Sequence, residues 1–206
     1  MNERFYALPQ ERQHAMLNAG FSVFARTGFK KGSMDDVARA AGVSKALLFH
    51  YFGSKRNFYL YLYRYALDYL AEHLASRMYC DDEDDFFALI ERGQALKFEI
   101  LGEHPDLMQF LIAGYFEPSD EVSPEIRDRL FDLIAQSGKR FAERADASKF
   151  ADGITVEQAT DIVMLFSDGF MRQQTPDKLA DLDALNREYL AYLDVLRRRF
   201  YRKDCL

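Results

Sequence analysis

Tryptophan is absent from this 206-residue chain, and cysteine occurs only at positions 80 and 205. Two thiols so far apart, without a C-x-x-C spacing, argue against a disulfide scaffold or a cysteine zinc site and predict that Cys80 and Cys205 are free. No apolar run approaches the roughly 20 residues of a membrane-spanning helix. The opening Met-Asn-Glu-Arg-Phe-Tyr lacks the pattern of a secretory signal, so a cytoplasmic protein is expected. Catalytic fingerprints are also missing: there is no Gly-x-Ser-x-Gly, no phosphate-binding loop and no dinucleotide-binding glycine pattern. The four histidines form no metal spacing. Glu11-Arg12-Gln13-His14 is a single Glu-x-x-His, whereas a di-iron carboxylate bundle needs two such elements and further glutamates. The acidic run Asp81-Asp82-Glu83-Asp84-Asp85 lacks the glycine and ligand spacing of a calcium loop and reads as a solvated loop and helix start. No catalytic residue, cofactor or metal is expected.

What the chain does have is helical punctuation throughout. Nearly half of its residues are apolar, enough for one sizeable core and a small satellite domain. No internal repeat, low-complexity tract or convincing strand interrupts the pattern, and an all-α fold is predicted. The most informative stretch runs from residue 33 to 55. Ser33 can cap a helix, with Asp36 placed to reach back as an acidic capping box. Met34, Val37, Ala38 and Ala41 then recur at helical spacing. Gly42 stops this helix, Val43 dips inward, and Ser44 caps a second helix over 45–52. At about 100° per residue, Leu47, Leu48, Tyr51 and Phe52 share one half of that helix, and Lys45, Ala46, Phe49 and His50 share the other. Two short helices meeting at such a turn read as a helix-turn-helix, which lays its second helix in the major groove of DNA. A small helical hairpin in an ordinary core is the plainer reading, but it requires neither this turn nor these polar positions.

Charge divides the chain the same way. Residues 1–56 carry nine Lys or Arg against four Asp or Glu, a net of +5, and residues 57–206 carry 18 against 29, a net of −11. A basic N-terminal end on an acidic protein is the footprint expected of phosphate attraction.

These residues resemble the TetR family, the tetracycline-repressor-like transcriptional regulators, over roughly residues 12 to 60. The resemblance rests on Ala41-Gly42-Val43-Ser44 followed by Phe49-His50-Tyr51-Phe52-Gly53-Ser54-Lys55. The preceding helix agrees, with Leu17, Gly20, Phe21, Phe24 and Ala25 at helical spacing and Thr27-Gly28-Phe29 as its stop. The resemblance implies that Lys45, Ala46, Phe49, His50, Tyr51 and Lys55 lie against DNA, with Ser33, Met34 and Ser44 near its backbone. Phe49 stands where the family more often has Tyr, Leu47 where a small polar residue is commoner, and Ala46 where Gly is common. It also implies a helix-turn-helix domain over 1–54 and a helical ligand-binding and dimerisation domain over 55–206.

Beyond residue 55 the caps and breaks predict helices over about 55–79, 85–102, 105–116, 123–147, 155–174 and 177–202. By resemblance, the last two pair with their copies in a second protomer. Ile162, Phe166, Gly169 and Phe170 would meet Leu185, Tyr189, Tyr192 and Leu196 there, and Gly169 would let the backbones approach. A two-fold dimer suits a palindromic site. The middle helices, again by resemblance, enclose a small effector. Candidates for its lining are Phe98, Leu101 and Met108, then Tyr115, Phe116 and Phe131, and finally Met164, Asp168 and Met171, with Asp168 as a polar anchor. That composition suits an apolar or aromatic effector. The expectation is a ligand-responsive, sequence-specific repressor released from a palindromic operator. The alternatives are a helical architectural DNA-binding protein without an effector and a helical-bundle enzyme.

Overall fold

The computed structural model describes residues 3–206 and holds eleven α-helices among them. They are α1 (Glu3–Tyr6), α2 (Gln10–Lys31), α3 (Met34–Ala41), α4 (Lys45–Phe52), α5 (Lys55–Met78) and α6 (Phe86–Gly102). After these come α7 (Pro105–Tyr115), α8 (Ser123–Arg144), α9 (Val156–Arg172), α10 (Pro176–Leu179) and α11 (Leu182–Phe200). A lone antiparallel bridge, Phe150 to Tyr201, is the extended pairing found among the described residues. No helix among the described residues is long and apolar enough to cross a membrane.

The chain separates into two compact units. The first runs through Ala75 and resumes over Lys97–Phe131; the second comprises Ser76–Leu96 and Asp132–Leu206. The whole of the expected 1–54 module thus lies in the first unit, which continues well beyond it.

The first unit is built on aromatic packing. Phe24 meets Tyr59 edge-on at 5.1 Å, Tyr59 meets Phe110 at 5.1 Å, and Phe21 meets Phe110 at 5.4 Å, tying α2, α5 and α7 together. Such ring pairs add about 0.5–1.5 kcal/mol each beyond the area they bury. The tyrosine-rich α5 splits as packing demands: Tyr59, Tyr61 and Tyr63 are buried, while Tyr65 and Tyr69 are half-buried. Burial raises the ionisation of Tyr59 and Tyr63 well above the ordinary phenol value, with Glu117 adding to the effect at Tyr59. Both stay neutral at any physiological pH.

Residues 27–29 are not a clean stop. Gly28 sits at φ 66°, ψ −179° inside the span of α2, and one further helical turn follows to Lys31. A residue with a side chain rarely adopts that conformation, so this kink depends on glycine.

The second unit is cored by Phe86, Phe87, Ile90, Phe150, Val163 and Leu193. Thr155 and Gln158 form a full capping box at the start of α9, with bonds of 3.2 and 3.1 Å. The Asp85 carboxylate caps α6 by accepting the Ala88 N–H at 2.9 Å. The continuous last helix expected over 177–202 is corrected to two, α10 and α11. Asp181 leaves helical geometry at φ −120°, ψ 82° and its carboxylate accepts the Ala184 N–H at 2.9 Å, starting α11 afresh. Cys80 and Cys205 are free.

Candidate nucleic-acid interface

The pair α3 and α4 is assembled by its caps. Ser33 Oγ accepts the Asp35 N–H at 3.1 Å and Ser44 Oγ accepts the Leu47 N–H at 3.2 Å. Asp36 does not reach back as a capping box; it pairs with Arg39 at 3.0 Å. Between the helices Gly42 takes the left-handed conformation, φ 67°, ψ 29°, and the Val43 N–H closes the turn on the Ala38 carbonyl at 3.0 Å. This is the αL helix stop that a glycine makes at least cost.

Burial then sorts the side chains. Leu48 and Phe52 are buried and Leu47 is half-buried, so α4 is held by one face. Lys45, Ala46 and His50 are exposed and Phe49 is half-buried, so these four form the outward stripe. Lys45 rests on Asp35 at 2.7 Å with both side chains about half exposed. Surface pairs of this kind contribute at most about 1 kcal/mol, so a phosphate can displace the carboxylate. Tyr51 is half-buried, edge-on to His50 at 5.4 Å and to Phe5 at 5.8 Å. Met34 is only 4% exposed, which leaves its main chain alone to approach a ligand.

Lys55 stands apart from this stripe. Its ammonium donates to the carbonyls of Phe29, Lys30 and Gly32 at 2.9, 3.3 and 3.3 Å and lies 4.5 Å from the centre of the Phe29 ring. It holds the segment that leads into α3. The same segment is gripped by Glu117, from the loop after α7. Its carboxylate is 8% exposed, accepting the Phe29 N–H at 2.7 Å and the Ser119 N–H at 3.0 Å. A cation on the carbonyls and an anion on an N–H of one short stretch fix the approach to the helix-turn-helix. Glu117 and Phe29 are 88 residues apart, and no local pattern announces their contact.

Residues 16–62 match the model of the bacterial regulatory proteins of the tetR family. Over this stretch, which holds the helix-turn-helix, the chain is similar to the TetR family. It is 29% identical over 154 residues to the HTH-type transcriptional activator FasR of Mycolicibacterium smegmatis, covering 70% of this chain and 68% of that protein. It is 31% identical over 141 residues to the HTH-type transcriptional regulator RutR of Escherichia coli K12, covering 62% and 64% respectively. The aligned segments thus span about two thirds of these relatives' length. Among solved structures, FadR from Bacillus subtilis in complex with stearoyl-CoA superposes with a TM-score of 0.64 at 16% identity, covering 87% of this chain and 96% of that one. The overall fold is that of solved TetR-family structures. These relatives are regulators, which points away from an enzyme.

The remaining candidate residues fall in both units. In the first, Leu101 is buried and Phe98, Met108 and Tyr115 are half-buried, whereas Phe116 and Phe131 are 37% and 49% exposed. In the second, Met164, Asp168 and Met171 are half-buried, and Asp168 is paired with Arg172 at 2.7 Å, which occupies the expected polar anchor. Two clefts open at the surface. One, of about 450 Å³ in the second unit, includes Phe166, Gly169, Phe170 and Tyr192 in its lining. The other, of about 220 Å³ in the first unit, lies among Tyr6, Tyr61, Tyr65 and Tyr69. None of the nine expected effector-lining residues borders either cleft.

The α9 and α11 stripes divide as well. Leu185 and Tyr189 are each 7% exposed and belong to their own unit's interior, where Tyr189 bonds Ser167 at 2.7 Å. Ile162 and Tyr192 stay 44% and 50% exposed, and two residues outside the expected set join them, Leu165 at 75% and Val195 at 54%. Phe166, Gly169, Phe170 and Leu196 are half-buried beside them.

Proposed function

We propose that this regulator is a repressor that binds a palindromic operator as a two-fold homodimer and leaves it when a small apolar or aromatic effector binds among the middle helices. The observation that carries the DNA half is the outward stripe Lys45, Ala46, Phe49 and His50 on a capped, core-anchored α4 at the basic end of the chain. Lys45 supplies a phosphate contact and His50 a base-edge contact, Ala46 permits close approach, and Phe49 packs on a sugar or thymine methyl. Ser33, Ser44 and Tyr51 flank the groove.

Dimerisation is supported by Ile162, Leu165, Tyr192 and Val195, apolar side chains left in water on α9 and α11. A cluster of that kind marks an interaction surface, and at Gly169 a side chain would start with nothing beyond its own helix backbone within 4 Å, which leaves room for a partner helix. The effector half rests on less polar chemistry: Phe98, Leu101 and Met108 of the first unit offer apolar and polarizable surface, and the solved FadR holds stearoyl-CoA. Release follows from the grip on residues 29–32. Lys55 starts α5 and Glu117 follows α7, so a shift of either helix moves the segment feeding α3. Half-sites on DNA lie about 34–36 Å apart, and a displacement of a few ångströms in each protomer misplaces both copies of α4.

An architectural DNA-binding protein would have no use for the long acidic remainder of the chain, and a bundle enzyme would have none for the α3–α4 turn. A gel shift on the upstream region of the protein's own gene separates regulator from enzyme. Sensitivity of that shift to candidate apolar ligands separates a ligand-responsive regulator from an architectural protein.

A further inference from the structure

The short helix α1 precedes everything the family model matches, yet it is anchored at the end of α4. Phe5 is 1% exposed, and its ring lies 5.0 Å from Phe52, 5.8 Å from Tyr51 and 5.8 Å from Tyr61. Tyr6 Oη bonds Tyr61 Oη at 3.3 Å, and the Gln13 side-chain amide donates to the carbonyls of Tyr6 and Leu8 at 3.3 and 2.9 Å. A buried aromatic and three hydrogen bonds fix this turn to α2, α4 and α5. The neighbouring Arg4 is exposed, and its Nη1 sits 3.5 Å from Nε2 of His50, the last polar residue of the outward stripe. A guanidinium cannot accept a hydrogen bond, so in this contact Nε2 is the acceptor.

We infer that α1 is a second DNA-contacting element, in which Phe5 is the anchor and Arg4 delivers a guanidinium to a DNA phosphate beside the base pair that His50 meets. The inference rests on the DNA-binding reading of α4. The stripe then carries a cation at each end, Lys45 at the N-terminus of α4 and Arg4 at its C-terminus. An eight-residue helix rises about 12 Å, comparable to the roughly 12 Å width of the major groove, so the two cations can serve separate phosphate contacts. The Arg4 fork suits phosphate geometry, and its charge also complements the negative end of the α4 dipole.

The test is fluorescence anisotropy of the full-length protein on two labelled duplexes, the upstream region of its own gene and a scrambled duplex of equal length, across a salt series. Arg4→Ala should weaken binding to both duplexes alike. It should also flatten the plot of log affinity against log salt by about 0.9 per protomer, the loss of one phosphate contact. Arg4→Lys should keep the slope. Phe5→Ala, with Arg4 intact, should flatten it as Arg4→Ala does while melting cooperatively. If Arg4→Ala matches the parent in slope and affinity, or lowers only the preference between duplexes with the slope unchanged, Arg4 touches no phosphate and the inference fails. A parent protein that binds neither duplex overturns the DNA-binding reading itself, and this inference with it.

Discussion

Replacing Glu117 by alanine should be among the most damaging single changes outside the apolar core. The carboxylate is 8% exposed and satisfies two main-chain donors, Phe29 N–H at 2.7 Å and Ser119 N–H at 3.0 Å. Alanine leaves both unpaired. A buried donor without a partner costs about 1–3 kcal/mol, while removing the carboxylate relieves some desolvation. The net loss is about 3 kcal/mol, in the lower half of the roughly 2–6 kcal/mol for two such donors. For a chain of this length each kcal/mol moves Tm by about 2–4 °C, so the melting point should fall by roughly 6–12 °C. Glu117→Gln keeps the volume and one acceptor but turns an NH2 group toward the second donor, and should fall between the two. Circular dichroism melts at neutral pH read this directly. A Glu117→Ala protein melting within a degree of the parent would show that the grip on residue 29 contributes nothing.

His50→Ala should weaken specific DNA binding by about 1–3 kcal/mol and relax sequence preference, whereas Lys45→Ala should mainly reduce the salt slope; anisotropy on matched and scrambled duplexes distinguishes them. Leu165→Glu should yield monomers by sedimentation velocity without lowering helical content, because that side chain is 75% exposed in the protomer and a charge is costly only when a partner covers it. An unaltered dimer would put the interface elsewhere. At Asp85, burial pushes the carboxyl up, but the Ala88 N–H and the cations of Arg197 and Lys149 outweigh it and hold it below the ordinary carboxylate range. Its contribution to stability is therefore present above the unfolded carboxylate value of about 4 and lost as pH falls through the depressed one. Asp85→Asn should melt lower than the parent at pH 7, the gap closing in acid; a gap that persists unchanged at low pH would contradict this.

The helix-turn-helix was legible because its signals are local. Ser33, Gly42 and Ser44 cap and stop α3 and α4 within a few residues of chain, and the bounds of α4 agree with the expected 45–52. The break at Asp181 was hidden because Leu179, Leu182 and Leu185 keep helical spacing across it, so periodicity alone joins α10 to α11. Periodicity also names a stripe without saying which edge faces inward. Leu185 and Tyr189 turn into their own unit, and Leu165 and Val195, one position off the expected stripe, face water. Glu117 and Lys55 lay beyond sequence reasoning for a different reason. Their partners are main-chain groups of residues 29–32, and a backbone N–H or carbonyl leaves no trace in the sequence of what will bind it.

The central claim is that α4 reads a sequence on behalf of a two-fold dimer. Titrating the protein into a labelled duplex from its own upstream region, with a scrambled duplex at the same salt as reference, tests it most directly. Two protomers per upstream duplex and a preference of roughly a thousandfold or more over the scrambled one are predicted. His50→Ala should erode that preference. Equal affinity for the two duplexes, or binding to neither, would contradict the account.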